Sequence, residues 1–291
     1  MYGSNKKDSK ALVSQRGHAF KRALIIFGIY LALLIVSAFF FYPIFFAIVT
    51  SLQKRAEIFT LPPKLIFTPS ITNYIKVVTM WKFDAYFMNS VIISTASVIG
   101  ALLLGIPCAY ILSRYDIPRK MDIAFIILSF RFLPPVAIAI PLYILYTKIG
   151  LFDTHLGLIL IYIIMNLPFV VWIMKGFFDE VPIELEEAAQ IDGYSRLHVF
   201  FRFTLPLVAR GISATALFCL LLTWNEFGLA LVLTGINART LPVQALQFVA
   251  SLGLDWGALT AAAIIIALPM IIFGIIIRNY LVRGLTLGVV K

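Results

Sequence analysis

Little in this 291-residue chain is charged: Asp, Glu, Lys and Arg make up 13% of it, against 61% hydrophobic residues. No soluble core can hide that much apolar surface, so the bilayer must serve as solvent, in keeping with a mean hydropathy of +0.97. The two cysteines, Cys108 and Cys219, lie inside apolar runs without neighbouring Cys or His, which argues against a disulfide framework or a metal cluster. The three histidines, His18, His155 and His198, are scattered over separate loops or tails, so neither metal-ligand spacing nor a catalytic base stands out. No G-x-x-x-x-G-K-[ST] stretch occurs, so the chain does not bind ATP through a phosphate loop of that kind. No metal, cofactor or catalytic activity of its own is expected. Nor is nucleic acid, because the 24 basic residues behind the net charge of +10 lie between apolar runs rather than in one patch.

What is present is a series of long apolar segments, six in number, at about 23–49, 88–112, 122–147, 156–174, 207–234 and 257–277. A membrane helix needs roughly 20 such residues, and continuous runs of this length exclude a barrel, whose strands alternate and are about half as long. The first run is too long for a signal-peptide core and is read as a retained span. The expected fold is all-α and integral to the membrane, with six transmembrane helices.

With an even number of spans both termini share a side, and Lys6, Lys7, Lys10, Arg16, Lys21 and Arg22 ahead of the first span place them in the cytoplasm. Sixteen of the 24 basic residues then fall on the cytoplasmic side. The seven outer ones are Lys54, Arg55, Lys64, Lys76 and Lys82 in one long loop, with Lys148 and Arg239 in two short ones. This predicts a cytoplasmic tail 1–22, a first span 23–49, an extracytoplasmic loop 50–87, a five-helix core 88–283 and a cytoplasmic tail 284–291. Pro62, Pro63 and Pro69 and the Ser70–Tyr74 stretch make the outer loop too ordered in composition for a flexible linker, and we expect it to pack over the mouth of the bundle.

The fourth connection, about 179–206, is patterned as helix, turn, helix. Pro182 suits a helix start, Ile183 to Asp192 are good helix formers, and Gly193 supplies a left-handed cap. Ser195 can cap a second helix running through Phe203, before Leu205-Pro206. Six of the fourteen acidic residues, Asp179, Glu180, Glu184, Glu186, Glu187 and Asp192, gather here, beside the small pair Ala188 and Ala189. A charged helical hairpin of this kind fits a docking surface for a soluble partner and a solvated amphipathic loop equally well.

Glu187-Ala188-Ala189, three residues, Gly193, nine residues and then Phe203-Thr204-Leu205-Pro206 resembles the EAA motif of the permease subunits of binding-protein-dependent importers, with Phe203 where that family usually has Ile. Trp224-Asn225-Glu226-Phe227, Leu241-Pro242-Val243, Asp255-Trp256-Gly257 and Tyr280 to Thr286 are together similar to its maltose-type branch, which carries di- and oligosaccharides. The resemblance covers nearly the whole chain. It implies an inner-membrane permease that pairs with a second permease, a different chain in the expected case. Two ATPase subunits bind ATP and Mg below, and an extracytoplasmic sugar-binding protein delivers substrate from above. Glu184, Glu187, Ala188, Ala189, Asp192, Gly193, Leu205 and Pro206 would then form the ATPase-coupling loop.

Pathway residues are less sharply marked. Arg131 falls about ten residues into the third span, where a lone charge costs at least about 2.5 kcal/mol, and Pro134, Pro135 and Pro141 should kink or break that span where it lines a cavity. Glu226, the other intramembrane charge, would lie nearly 30 Å along the fifth span at ~1.5 Å per residue, too near the outer surface to pair with Arg131. Both residues serve a pathway or tie helices together. Sugars stack on aromatic faces, so Tyr143, Tyr146, Asn166, Trp172, Trp224 and Asn225 join the list, although aromatics in a membrane chain more often face lipid or pack between helices. An ion-gradient-driven carrier is the rival reading; it calls for inverted repeats and paired midplane charges, and only Arg131 lies near that depth.

Overall fold

A computed structural model describes residues 5–286 except 61, 63, 65, 133 and 251–254; side chains are described within residues 24–248 and 255–275. The basic tail residues named above, together with Arg278, Arg283 and Lys291, lie outside the described side chains. Among the described residues there are helices and no strands, as backbone surrounded by hydrocarbon requires. In chain order they are α1 (Asn5–Leu52), α2 (Arg55–Ile58), α3 (Thr72–Trp81), α4 (Phe83–Arg114), α5 (Lys120–Ser129), α6 (Pro135–Ile149), α7 (His155–Asp179) and α8 (Ile183–Ile191). Then follow α9 (Arg196–Val199), α10 (Leu205–Leu207), α11 (Ala209–Trp224), α12 (Gly228–Leu233), α13 (Leu241–Ala245), α14 (Gln247–Ala250) and α15 (Trp256–Thr286). Among the described residues four helices are long and apolar enough to cross a membrane, and six spans result if each of two bent pairs counts as one.

The centre of the fold is the pair α4 and α7. Asn89 meets His155, Ser97 meets the Ile159 carbonyl, and Ser113 meets Asp179, so the two helices run parallel, side by side from one end to the other. Apolar side chains gain little by leaving lipid for each other, so close backbone approach supplies the attraction. Ser94, Ser97, Ala101, Gly105 and Ala109 along α4 are all buried. A Cβ on Gly105 would lie 2.6 Å from Val170 Cγ1 and 2.9 Å from Val170 Cβ. The span formed by α5 and α6 connects the two in the chain, and α11 packs against both, with a Cβ on Gly211 falling 2.5 Å from the Phe177 ring.

The third predicted span is broken as its prolines require. A 3₁₀ turn, Phe130–Phe132, ends α5, Pro134 takes an extended ψ of 125°, and α6 starts on Pro135 at 83° to the preceding segment. The residue before a proline disfavours the α region, and a proline at the first helical position costs no hydrogen bond. The fifth predicted span, 207–234, is also interrupted. It begins after a 73° bend ahead of α11, and α11 stops at Trp224 before the short α12. The first span belongs to a helix that already runs from Asn5, and α4 starts at Phe83, inside the expected outer loop.

The long outer loop folds into a cap. Asn73 on α3 donates to the Ser51 and Gln53 carbonyls at the end of α1 (2.9 and 2.8 Å), and Tyr74 bonds Ser51. Lys76 is paired with Asp255 at the start of α15, and Gly257 lets Asn73 approach to where a Cβ would be 2.7 Å from its Oδ1. Trp81 and Phe83 pack on Phe248. The end of α1 next to this cap packs on α15, whereas its apolar stretch exposes Leu31, Leu34, Phe39 and Phe40.

Candidate functional site

Two structured ends face each other across the length of α4, roughly 48 Å for 32 residues at ~1.5 Å each. At the end expected to be the inner one sits the hairpin. Its first helix, α8, starts after Pro182, which is the N-cap (ψ 131°) rather than the first helical residue, and carries Glu184 and Glu186 in its first turn, where carboxylates favour the helix dipole. It ends in a Schellman cap: Tyr194 N–H donates to the Ala189 carbonyl (3.1 Å), Gly193 N–H to that of Gln190 (3.0 Å), and Gly193 has φ +93°. Ser195 Oγ then accepts from His198 N–H at 3.4 Å. The second helix runs from α9 through a π-helical turn, Phe200–Thr204, into α10.

Of the residues singled out by the motif, Glu184, Glu187, Ala188, Asp192, Gly193 and Pro206 are exposed, Leu205 is half-buried, and Ala189 is buried. Around the turn Ile191 is 86% exposed and Leu197 72%, far more than a solvated loop needs to show of large apolar side chains. Glu186 differs from its acidic neighbours. It is 4% exposed, with Arg114 Nε at 2.7 Å from Oε1 and Tyr110 O–H donating to Oε2 at 2.8 Å. Arg114 also donates to the Val181 carbonyl (2.9 Å), and Ser113 to Asp179 (2.6 Å), which Lys175 also contacts. Beneath them Tyr110, Phe178 and Phe200 form an aromatic cluster, and the Arg196 guanidinium lies 5.4 Å over the Tyr115 ring. The reading of the sequence missed this base. The only signal was an Arg closing one span and an acidic run following another, which is informative only once the two spans are known to be parallel.

At the opposite end Asp153 (φ +56°) projects into a concave run of backbone donors. Its carboxylate accepts from Gly235, Ile236, Asn237 and Ala238 N–H at 2.8–3.1 Å and from Asn237 Nδ2 at 2.9 Å. Burial raises its pKa, but these backbone donors outweigh that and hold it below the ordinary carboxylate value. Asn89 secures the same loop by donating to the Asn237 and Arg239 carbonyls, with His155 behind it. Replacing Asp153 by Ala should cost about 2 kcal/mol, since several hydrogen bonds to a charged group are lost at a site that water can partly refill. Because the folded pKa lies below the unfolded one, this contribution is present above the ordinary carboxylate range and lost as pH falls through the folded value. Thermal unfolding in detergent should therefore show an acid-side slope that flattens in Asp153→Ala.

The pathway candidates separate into two groups. Trp224 (3% exposed) donates to the Ile266 carbonyl and packs edge-on to Phe87. Asn166 (2%) bridges the Tyr162 carbonyl and Thr223, and Tyr146 (5%) donates to the Gly157 carbonyl. These three tie helices within the chain. Glu226 accepts from Tyr162 O–H at 2.5 Å and from Leu229 and Ala230 N–H, so it caps α12 across the break in the fifth span. Arg131, half-buried in the 3₁₀ turn, reaches the Met165 carbonyl on α7 at 3.2 Å. The two charges thus have separate partners. Tyr143, Trp172 and Asn225 remain exposed.

Residues 101–287 match the model of a protein family described as the binding-protein-dependent transport system inner membrane component. The chain is 36% identical over 252 residues, covering 87% of it and 91% of the relative, to a probable ABC transporter permease protein, y4oR, of Sinorhizobium fredii. It is 31% identical to the trehalose/maltose transport system permease protein MalG of Thermococcus litoralis over 95% of this chain and 99% of that one. Its fold is similar to a chain in the crystal structure of a bacterial ABC transporter involved in the import of the acidic polysaccharide alginate, with a TM-score of 0.75 and 23% identity over 89% of this chain and 98% of the other.

Proposed function

The chain belongs to the family of binding-protein-dependent transport system inner membrane components, and from that membership we propose that it is the permease subunit of an ATP-driven importer of di- or oligosaccharide. It is a multi-pass inner-membrane protein with a transport role. Its termini lie in the cytoplasm, it pairs with a second permease to line one pathway, and it receives sugar from an extracytoplasmic binding protein. Two ATPase subunits, which hold ATP and Mg, dock beneath it. The sugar class rests on the trehalose/maltose relative and on the maltose-type strings of the sequence. An ion-gradient-driven carrier finds no support in the family match.

The observation that carries this reading is the hairpin: a defined left-handed turn at Gly193 between Glu187, Ala188 and Ile191 on α8 and Leu197 on α9, all exposed, with α8 fastened at its base. The free acid and the small side chain suit a cleft that offers a basic group and admits a close backbone. Arg131 and the broken third span are the pathway elements, with the exposed Tyr143 and Asn225 the side chains to meet a sugar.

Co-expression with its ATPase and second permease, followed by purification on a tag carried by this chain, tests the proposal. The ATPase should remain bound, and Glu187→Lys should reduce the bound fraction by at least about tenfold, since an interfacial charge reversal costs a few kcal/mol. Failure of any ATPase to co-purify with the wild-type chain would remove the basis for ATP-driven transport.

A further inference from the structure

The hairpin must pass a displacement into the membrane if it couples to an ATPase, and the chain offers few routes for it. At its start α8 is joined to α7 through Glu180–Pro182. At its far end the second helix leads through a π-helical turn and a 73° bend into α11. Both are backbone joints at which the chain direction changes, and π-turns interrupt the regular helical ladder.

The lateral contact is of another kind. Arg114 and Glu186, their side chains 8% and 5% exposed, are paired at 2.7 Å. Arg114 also binds the Val181 carbonyl just ahead of α8, and Tyr110, one turn back on α4, donates to the second oxygen of Glu186. The Tyr110 ring packs on Phe200 of the second helix, with centroids 4.6 Å apart. Two residues on the last turns of α4 therefore grip both helices of the hairpin.

A buried ion pair contributes little net stability compared with apolar side chains of similar volume, but it fixes geometry when its lone pairs are satisfied. From α4 the motion has a direct path to the far end of the bundle, because α4 continues as one helix from Arg114 through Pro107 to Phe83 beneath the cap and lies along α7 throughout.

We infer that the buried Arg114–Glu186 pair, with Tyr110, is the positioning joint that transmits the movement of the coupling hairpin into α4, and that Glu187, its exposed neighbour, meets the ATPase instead. This inference rests on the ATP-driven reading above. It assigns adjacent glutamates opposite duties: loss of Glu187 should release the ATPase, whereas loss of the Glu186 joint should leave the ATPase bound and hydrolysing but disconnected.

The test uses the assembled importer in proteoliposomes. Cys108 and Cys219 are replaced by Ala, and Met88, 53% exposed near the outer end of α4, is changed to Cys as a reporter. Its reaction rate with a membrane-impermeant maleimide is measured with and without ATP plus vanadate. Glu186→Ala leaves a buried arginine unpaired and can lower the amount of folded protein, so the deciding variant is Arg114→Leu/Glu186→Leu, which removes both charges together.

The double variant is expected to retain its ATPase and hydrolyse ATP. The ATP-dependent change at residue 88 should shrink by about tenfold, within the 5–150-fold range typical of coupling free energies. A wild-type-like response at residue 88 in the double variant would overturn the inference and leave the pair a solution to burial alone. If the unmodified chain retains no ATPase, the ATP-driven reading itself falls and this inference with it.

Discussion

Gly193→Val should leave the protein inserted and its ATPase bound while lowering ATP-dependent uptake to about a tenth of the wild-type rate or less, by the usual size of coupling energies. A Cβ at Gly193 meets nothing within 4 Å, so the penalty is one of backbone conformation and not of packing. At φ +93° an L-residue costs roughly 1–2 kcal/mol, and a β-branched one more. Val would therefore pull the residue out of the left-handed region and break the bonds from Gly193 to Gln190 and from Tyr194 to Ala189. The second helix would then leave α8 at a different angle. Gly193→Asn separates this cause from others, because Asn tolerates the left-handed region; it should retain much of the uptake. Equal uptake by Val and Gly chains at equal abundance would show that the turn need not be fixed.

The second large effect is expected at Gly105, and it concerns folding. A methyl group there would lie 2.6 and 2.9 Å from Val170 Cγ1 and Cβ. Val170 Cβ is fixed to the α7 backbone, so no rotamer change relieves the contact; the helices must separate. Gly105→Leu should prevent α4 and α7 from packing as they do, at a cost above the 1–3 kcal/mol usual for an overpacked core, because the clash sits within the close parallel pair at the centre of the fold. The measurements are yield of monodisperse protein in detergent and its unfolding temperature. Gly105→Ala should be intermediate. Gly28, with nothing within 4 Å of its Cβ position, supplies the control: Gly28→Leu should unfold at the wild-type temperature.

Much of the fold could be read from the chain because membrane helices declare themselves by length and apolarity. The hairpin was legible for a different reason: Gly193 and Ser195 act on backbone within a few residues of themselves, so local chemistry settles the turn. Pro134 and Pro135 likewise announced the break in the third span. The break at Asn225–Phe227 carried no such mark, because it is held by Glu226 reaching forward to two backbone N–H groups and sideways to Tyr162, and a sequence shows only a charge in an apolar run. The inner site illustrates the limit best. Glu186 and Glu187 are neighbours of the same type, and which of them is buried depends on the rotation of α8 against an arginine 72 residues earlier in the chain. Trp224, Asn166 and Tyr146 meet the same limit: a polar atom in a span gives no sign in the sequence of whether its partner is a ligand or another helix.

The outer cap bears on how the protein is made. Asn73 and Lys76 emerge early in synthesis, but the residues that complete their surroundings, Asp255 and Gly257, stand at the start of α15, and Asp255 follows Lys76 by 179 residues. Until that helix leaves the insertion machinery, Lys76 is an ammonium without its carboxylate and α3 lacks the surface it packs on. This face of the bundle is thus completed only once α15 is in place, so a chain whose synthesis stops before residue 255 would display an open, unpaired edge there, a defect that membrane quality-control proteases would read.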